Sequence, residues 1–390
     1  MNDNQTQKKA NVPTKGNVPT LRFPEFSGEW KRKTLGEVIK IQGGYAFKSE
    51  DFQDSGIPIV RISNLPQDDD SVSLVDCVYY EQGSYENYEI HFGDLLIAMS
   101  GATTGKTAIY RDQAKAYLNQ RVGRFKPIAE IHYPLLYSIV NSPAFRNQLN
   151  SKLIAGAQPN ISSSDIESIK CYIPHIDEQI KIATLMQEID KRIAIQNKII
   201  EDLKKLKTAI RDVIFTAVRN VNDKTEFVSD LLSYEQPTNY IVESTEYSDN
   251  ASLTPVLTAN KGFILGYTPE TLGIYRKGEC IIFDDFTMDS KFVDFPFKVK
   301  SSAMKILTVK ADVDLRFMFE YLQSFDLHSE EHKRHYISEV ETMEVSVPEY
   351  ERQQQIGKIL ACIQGKIDNE ISIKMALLRQ KNCLLSTMFI

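Results

Sequence analysis

Tryptophan occurs once in this 390-residue chain, at Trp30, and cysteine five times, at Cys77, Cys171, Cys280, Cys362 and Cys383. The cysteines are odd in number, far apart and never in a CxxC, which excludes a disulfide-stapled secreted scaffold and a zinc ribbon and points to reduced thiols. No apolar run approaches the ~18 residues of a membrane span. The N-terminal MNDNQTQKKANVPTKGNVPT is polar throughout, so the chain is expected in the cytoplasm, without signal peptide or anchor. Excess positive charge is lacking too: 46 Lys and Arg stand against 52 Asp and Glu, a net charge of −6. That argues against strong phosphate binding by the chain as a whole but leaves local basic fields open.

What is present is ordinary for a globular protein, 42% hydrophobic and 25% charged residues. At ~100–200 residues per domain the length implies two or three units. Residues 1–20 read as a flexible arm, and Leu21, Phe23, Phe26 and Trp30 as the first apolar anchor. Short apolar runs broken by Gly, Pro, Asn and Asp follow: GIPIVRISNL, GDLLIAMSG, KTAIY and VGRFKPI, with a helix expected around Pro134 to Leu153. The same grammar returns in TPVLTANKGFILGY, GECIIFDDF, SKFVDFPFKV and AMKILTV, with a helix around Leu315 to Ser324. Gly93 and Gly278 occupy matching places.

The chain also repeats itself. Pro174 and Pro348, 174 residues apart, each open a long amphipathic segment, and the two segments align without a gap. Gln179 falls on Gln353, Ile182 on Ile356, Leu185 on Ile359, Ile189 on Ile363, Ile193 on Ile367, Leu203 on Leu377 and Ile210 on Leu384. Spacings of three, four and seven predict helices that pack on each other. Two halves with one plan predict an antiparallel, coiled-coil helix pair and a pseudo-twofold molecule of mixed α+β class. Its boundaries are expected at 21–172 for a first α/β domain, 173–220 for a central helical spacer, 221–346 for a second domain and 347–390 for a C-terminal helical spacer. At ~1.5 Å per residue, roughly 30 helical residues span about 45 Å, about a dozen base pairs of duplex DNA.

This plan, with GGYAFKSEDF, GDLLIAMSGATTGK, an IP-x-x-x-EQ-x-x-I helix start and LKKLKTAI, closely resembles the specificity subunit of bacterial type I restriction–modification systems, from about Leu21 to Ile390. The resemblance implies two target recognition domains, each reading half of a split DNA site. It implies helices that fix the spacer and dock two methyltransferase subunits, with restriction-translocase subunits joining. S-adenosylmethionine, and ATP with Mg for restriction, would sit on those partners, leaving this chain without cofactor or metal. Two departures stand out: Arg352 takes the place of Glu178, and the chain ends at Ile390 without a tail reaching back to the N-terminal half.

Several stretches invite other chemistry. GATTGKT, Gly101 to Thr107, has only three residues between its glycines where a phosphate loop needs four. Its amides, hydroxyls and cation suit DNA phosphates instead, which makes Thr103, Thr104 and Lys106 DNA-contact candidates. His328, His332 and His335 lack the HExxH order and a further ligand, so the expected role of Lys333, Arg334, His335 and Tyr336 is a basic, aromatic loop facing DNA. Asp284, Asp285 and Asp289 lack a nuclease's Glu-x-Lys and read as a solvated turn. Gln and Asn pair with adenine and Arg with guanine, which adds Asn119, Gln120, Arg121, Gln158 and Asn160, with Lys48, Arg61 and Asn64, in the first half. Asn260, Lys261, Tyr267, Thr287, Lys291 and Lys300 are their counterparts in the second half.

No glycine-rich adenosylmethionine loop, no Asn/Asp-Pro-Pro-aromatic motif and no helicase motif is found, so recognition without catalysis is expected. A protein-binding coiled-coil scaffold and a nucleotide-binding enzyme around Lys106 are the alternatives.

Overall fold

The computed structural model describes residues 16–390, apart from 67–69, 82, 84, 155–159, 222–224, 259–261, 311, 326 and 328–332. The chain divides into two compact units, Met1–Ile195 with Lys374–Ile390, and Gln196–Ile373. The division falls inside the two long helices rather than at the ends of the helical spacers.

In the first unit β1 (Lys31–Thr34) pairs antiparallel with β10 (Lys170–Ile173), so the domain's first and last strands meet where the chain leaves for the long helix. One sheet has the order β2 (Ile39–Gly43), β9 (Val122–Pro127), β6 (Leu95–Ala98), β7 (Thr107–Ile109). The other runs β4 (Val78–Tyr80), β3 (Ile57–Val60), β8 (Ala116–Leu118), β5 (Glu89–Ile90), with β3 and β8 parallel. The expected helix at 134–153 is two helices, α1 (Tyr133–Asn141) and α2 (Pro143–Ile154). Ser142 is extended (φ −68°, ψ 148°) because Pro143 disfavours the helical conformation in the residue before it. A short α3 (Ser163–Glu167), capped by the Ser162 side chain, precedes β10.

The second unit repeats this plan. β11 (Thr225–Phe227) pairs with β19 (Glu344–Ser346), and α5 (Val228–Leu231) follows β11. The first sheet has the order β12 (Leu232–Glu235), β18 (Met304–Val309), β15 (Cys280–Asp284), β16 (Ser290–Val293). The second has the order β14 (Ile264–Thr268), β13 (Thr254–Leu257), β17 (Lys298–Val299), with β13 and β17 parallel. Its helix α6 (Leu315–Gln323) starts at Asp314, whose side chain accepts from the Phe317 amide. Gly93 and Gly278, two residues before β6 and β15, share a positive φ of 92° and 101°, which a side chain would strain.

Helix α4 (Ile176–Asn220) has 45 residues and α7 (Tyr350–Thr387) has 38. In the second unit their segments run antiparallel: Gln196 bonds to Glu370, and further along α4 Lys207 bonds to Gln364 at 3.0 Å. In the first unit Lys381 of α7 pairs with Asp190 of α4. Of the expected stripe, Ile182, Ile189, Ile356 and Ile367 are buried, and Leu185, Ile193, Leu203, Ile210, Ile363, Leu377 and Leu384 are half-buried. Ile359 is the exception, 50% exposed. The buried face of α7 runs through Ile356, Leu360 and Ile367, and Ile359 lies about 100° round the helix from Leu360. Met186 and Leu360, again 174 apart, are the buried pair in its stead.

Each core joins a globular domain to the helices. In the first unit Ile182, Ala183 and Met186 of α4, and Leu385, Met388 and Phe389 from the end of the chain, pack with Trp30, Leu136 and Phe145. Pro19 is buried, Leu21 N donates to Thr387 O at 2.9 Å, and the Trp30 and Phe389 rings meet edge to face at 6.3 Å. Residues 17–19, expected within the arm, are thus packed, and the last turn of α7 bonds to the chain just after them. In the second unit Phe215 stacks on Tyr321 at 4.6 Å, and Ile356 and Leu360 close the same cluster.

Candidate nucleic-acid interface

Loops from four parts of the first domain meet at one edge. Gly44 lets the chain after β2 press against the strand β8, since a Cβ there would overlap the carbonyl oxygens of Leu118 and Asn119. Tyr45 N then donates to Leu118 O at 2.8 Å, and Gln120 N returns a bond to Tyr45 O at 2.8 Å. Met99 N donates to Arg121 O and Ile161 N to Met99 O, both at 2.9 Å, while Ser100 and Asn160 form an antiparallel bridge. Gln120, Arg121 and Asn160 are exposed and Asn119 is half-buried. Arg121 forms no ion pair among the described residues, so its guanidinium is available for an outside partner.

Other first-half candidates are held differently. The GATTGK turn bends at Gly101 and Gly105, with φ of 82° and 85°. Thr104 donates its hydroxyl to Gly101 O at 2.6 Å, Arg146 donates to Gly105 O, and Thr103, Thr104 and Lys106 are half-buried. Ala102 is its exposed residue. Asn64 is buried: its amide donates to Ser73 O and its side-chain oxygen accepts from Arg61 N, both at 2.9 Å, so it closes its own loop and does not face DNA. Arg61 is half-buried and donates to Asp76 O at 3.1 Å, and Lys48 is exposed, 3.5 Å from Glu50. Gln158, Asn260 and Lys261 lie outside the described residues, as do His328 and His332.

The second domain builds its edge with the same bonds. Lys300 N donates to Leu257 O at 3.1 Å just as Asn119 N donates to Val60 O at 3.1 Å, so Asn119 and Lys300 are equivalent. His335 N donates to Asp285 O at 3.0 Å, holding the segment before the last strand to the end of β15 as Ile161 is held to the end of β6. Lys291 and Lys300 are exposed, Tyr267 is half-buried on β14, and the half-buried Thr287 gives its amide to Asp284 Oδ1 at 2.9 Å.

The KRHY loop divides. Lys333 and Arg334 are more than half exposed, Lys333 lying 3.4 Å from Glu339 and Arg334 3.9 Å from Asp285. His335 and Tyr336 are buried and are not part of a DNA-facing surface. His335 Nδ1 is 2.9 Å from Glu339 Oε1, and the Tyr336 ring packs against Phe283 and Tyr234. The hydrogen bond from His335, with the nearby Lys333 charge, holds the Glu339 carboxyl below its ordinary range. Burial pushes the Tyr336 phenol far above its ordinary value.

Asp284 and Asp285 are likewise buried, not a solvated turn; Asp289 is exposed. Asp285 accepts from Tyr336 N at 2.9 Å and pairs with buried Lys305 at 3.4 Å. Lys305 in turn lies 4.4 Å over the Tyr234 ring. Sequence reasoning passed over this pair, and its signal was a lysine inside the apolar run AMKILTV. Among the described residues no group of three His, Cys, Asp or Glu could hold a metal, and no helix is long and apolar enough to cross a membrane.

Two domains of one plan, each gathering polar and cationic loops at one edge, define a two-domain protein built on a pair of long helices. Residues 27–205 match the family model of the type I restriction modification DNA specificity domain. Among curated proteins the chain is 46% identical over 127 residues to the EcoR124I/EcoR124II specificity subunit of Escherichia coli, covering 31% of each chain. It is 31% identical over 209 residues to the MjaVIII specificity subunit of Methanocaldococcus jannaschii, covering 51% of this chain and 49% of that one. The matches thus span between about a third and a half of these relatives. The fold is that of the type I S subunit from M. genitalium, with a TM-score of 0.62, 14% identity and coverage of 96% of this chain and 99% of that one. A structure from work on assembly of the type I R-M system superposes with a TM-score of 0.51 at 15% identity, covering 91% and 96%.

Proposed function

We propose that this chain is the DNA sequence-specificity subunit of a type I restriction–modification complex. The observation that carries the reading is the equivalence of the two loop edges: one set of backbone bonds presents Asn119, Gln120, Arg121 and Asn160 in one domain and Lys300, Lys333 and Arg334 in the other. Each edge would read a few base pairs, side chains in the major groove giving sequence and cations on phosphate giving position. The long helices would set the unread spacer and dock two methyltransferase subunits, with restriction-translocase subunits joining them. The chain itself performs no chemistry in this reading. S-adenosylmethionine, and ATP with Mg for restriction, belong to the partners, which flip the target adenine out of the duplex. A net charge of −6 fits a subunit whose non-specific DNA affinity comes largely from those partners.

The test is to express the chain with its methyltransferase subunit in a host lacking adenine methylation and to sequence the DNA for methylated adenine. A split motif of two short specific parts with a fixed gap is expected. A complex that forms with a competent methyltransferase yet leaves the DNA unmethylated would favour a protein-binding scaffold. Removing one turn from α4 should then change the tolerated gap and leave both half-sites as they were; altered half-sites would sink the ruler role.

A further inference from the structure

We infer that Tyr45 is a base-contacting residue of the first domain, its ring reading the C5 methyl group of a thymine in that domain's half-site. The inference rests on the DNA-reading function proposed above and adds to it a residue and a base. Three observations carry it. Tyr45 is 38% exposed although it is embedded in an aromatic cluster, its ring centroid 5.0 Å from Phe47, 5.0 Å from Tyr85 and 5.3 Å from Tyr88. Its backbone is fixed on both sides, by Leu118 and Gln120, which holds Tyr45 to the segment that carries the exposed Gln120 and Arg121. It is also peculiar to this domain: Val242, whose amide donates to Val299 O at 3.0 Å as Tyr45 N does to Leu118 O, is a buried valine.

A ring held on several sides by other rings has little rotamer freedom left to lose on binding, so an exposed aromatic surface here costs little entropy to use. An apolar group packs well on the ring, while the phenol hydroxyl can stay in water. In the major groove the thymine methyl is the apolar feature among the base edges, and aromatic side chains contact it. The neighbouring Gln120 and Arg121 supply the hydrogen-bonding half of the same reading surface.

Replacing thymine by uracil removes that methyl and nothing else, which makes the test specific. Duplexes carrying the methylation-mapped site, with each thymine changed to uracil in turn, are titrated with the full chain assembled with its methyltransferase subunits. At one position of the first domain's half-site uracil is expected to weaken binding about fourfold, the value of one buried methyl-sized group. Tyr45→Ala should weaken the thymine site by a similar factor and abolish the uracil effect there, while Tyr45→Phe keeps it and the other half-site is unchanged. The uracil scan of the unaltered chain does not depend on any variant folding. A first half-site without thymine, thymines all insensitive to uracil, or sensitivity that survives Tyr45→Ala overturns the inference. Specific binding with no uracil effect would overturn Tyr45's role alone, whereas absence of any sequence-specific binding would overturn the DNA-reading function and this inference with it.

Discussion

Gln179 and Gln353 stand 174 residues apart and make the same two hydrogen bonds. The amide of Gln179 donates to Pro174 O at 2.9 Å, and that of Gln353 donates to Pro348 O at 2.9 Å. The side-chain oxygen of Gln179 accepts from His132 N, and that of Gln353 from Asp314 N, each at 2.9 Å. His132 and Asp314 are the residues at which α1 and α6 begin. Each glutamine therefore ties the start of a long helix to the start of its own domain's helix, adding a polar fixed point to the apolar core that joins the two.

Replacing Gln353 by alanine strands the half-buried Asp314 amide and the buried Pro348 carbonyl. The expected cost is about 1–3 kcal/mol in the second unit, and Gln179→Ala should cost a similar amount in the first. Urea unfolding checks both. Losses below about 0.5 kcal/mol would show that water substitutes for the amide, as it does at an exposed hydrogen bond.

The departure at the next position has an energetic counterpart. Glu178 is 1% exposed and receives two bonds of 2.7 Å from Arg22, while Arg352 in the same place of the second copy is exposed. Removing one member of a buried pair leaves an uncompensated charge, so Arg22→Ala should destabilise the first unit by about 3–5 kcal/mol. Arg352→Ala should change little. Arg22→Ala with Glu178→Ala should recover much of the loss. Thermal unfolding with no recovery in the double variant would mean that Arg22 acts through packing of its stem.

The aligned glutamine pair, the helix repeat and the recurrence of short strands in both halves are legible because they rest on local periodicity and an ungapped match. Side-chain burial is not. Asn64, Tyr336, Asp284 and Asp285 sit in loop-like sequence, yet tertiary hydrogen bonds draw them inward; Asp285 depends on Lys305 and Tyr336, up to 51 residues away. Ile359 failed for a geometric reason, because a stripe read at spacings of three and four is uncertain by one residue where Leu360 stands beside it. Tyr45 lies within GGYAFKSEDF, but the cluster that holds its ring depends on Tyr85 and Tyr88, remote in sequence.

The contact of α4 with α7 in the first unit should be sensitive to pH. Burial raises the Asp190 carboxyl above its ordinary 3.8, and the ion pair with Lys381 only partly opposes this. The folded state then binds the proton more tightly than the unfolded one, so stability falls as pH rises from 3.8 through the raised value. Asp190→Asn removes that slope. Chemical unfolding of both forms between about pH 4 and 7 should show the natural chain losing ground to the variant as pH rises. A gap that moves the other way would mean that the Lys381 attraction outweighs desolvation.

The two edges should answer separately to substitution. Arg121 is exposed on the turn between β8 and β9 with no ion pair among the described residues, and Lys291 is exposed on β16. A base-reading arginine is worth about 1–3 kcal/mol and its loss relaxes specificity at one position, whereas a phosphate-bound lysine weakens all sequences alike and lowers the salt dependence. Arg121→Ala should therefore broaden the methylated motif in one half and leave the other intact. Lys291→Ala should leave both halves of the motif unchanged and reduce affinity with a shallower salt slope. Sequencing of methylated adenine from cells carrying each variant, with binding measured at two salt concentrations, separates these effects. An unchanged motif and a shallower slope for Arg121→Ala would move that side chain from the bases to the phosphates and leave sequence reading in the first domain to Gln120, Asn160 and Tyr45.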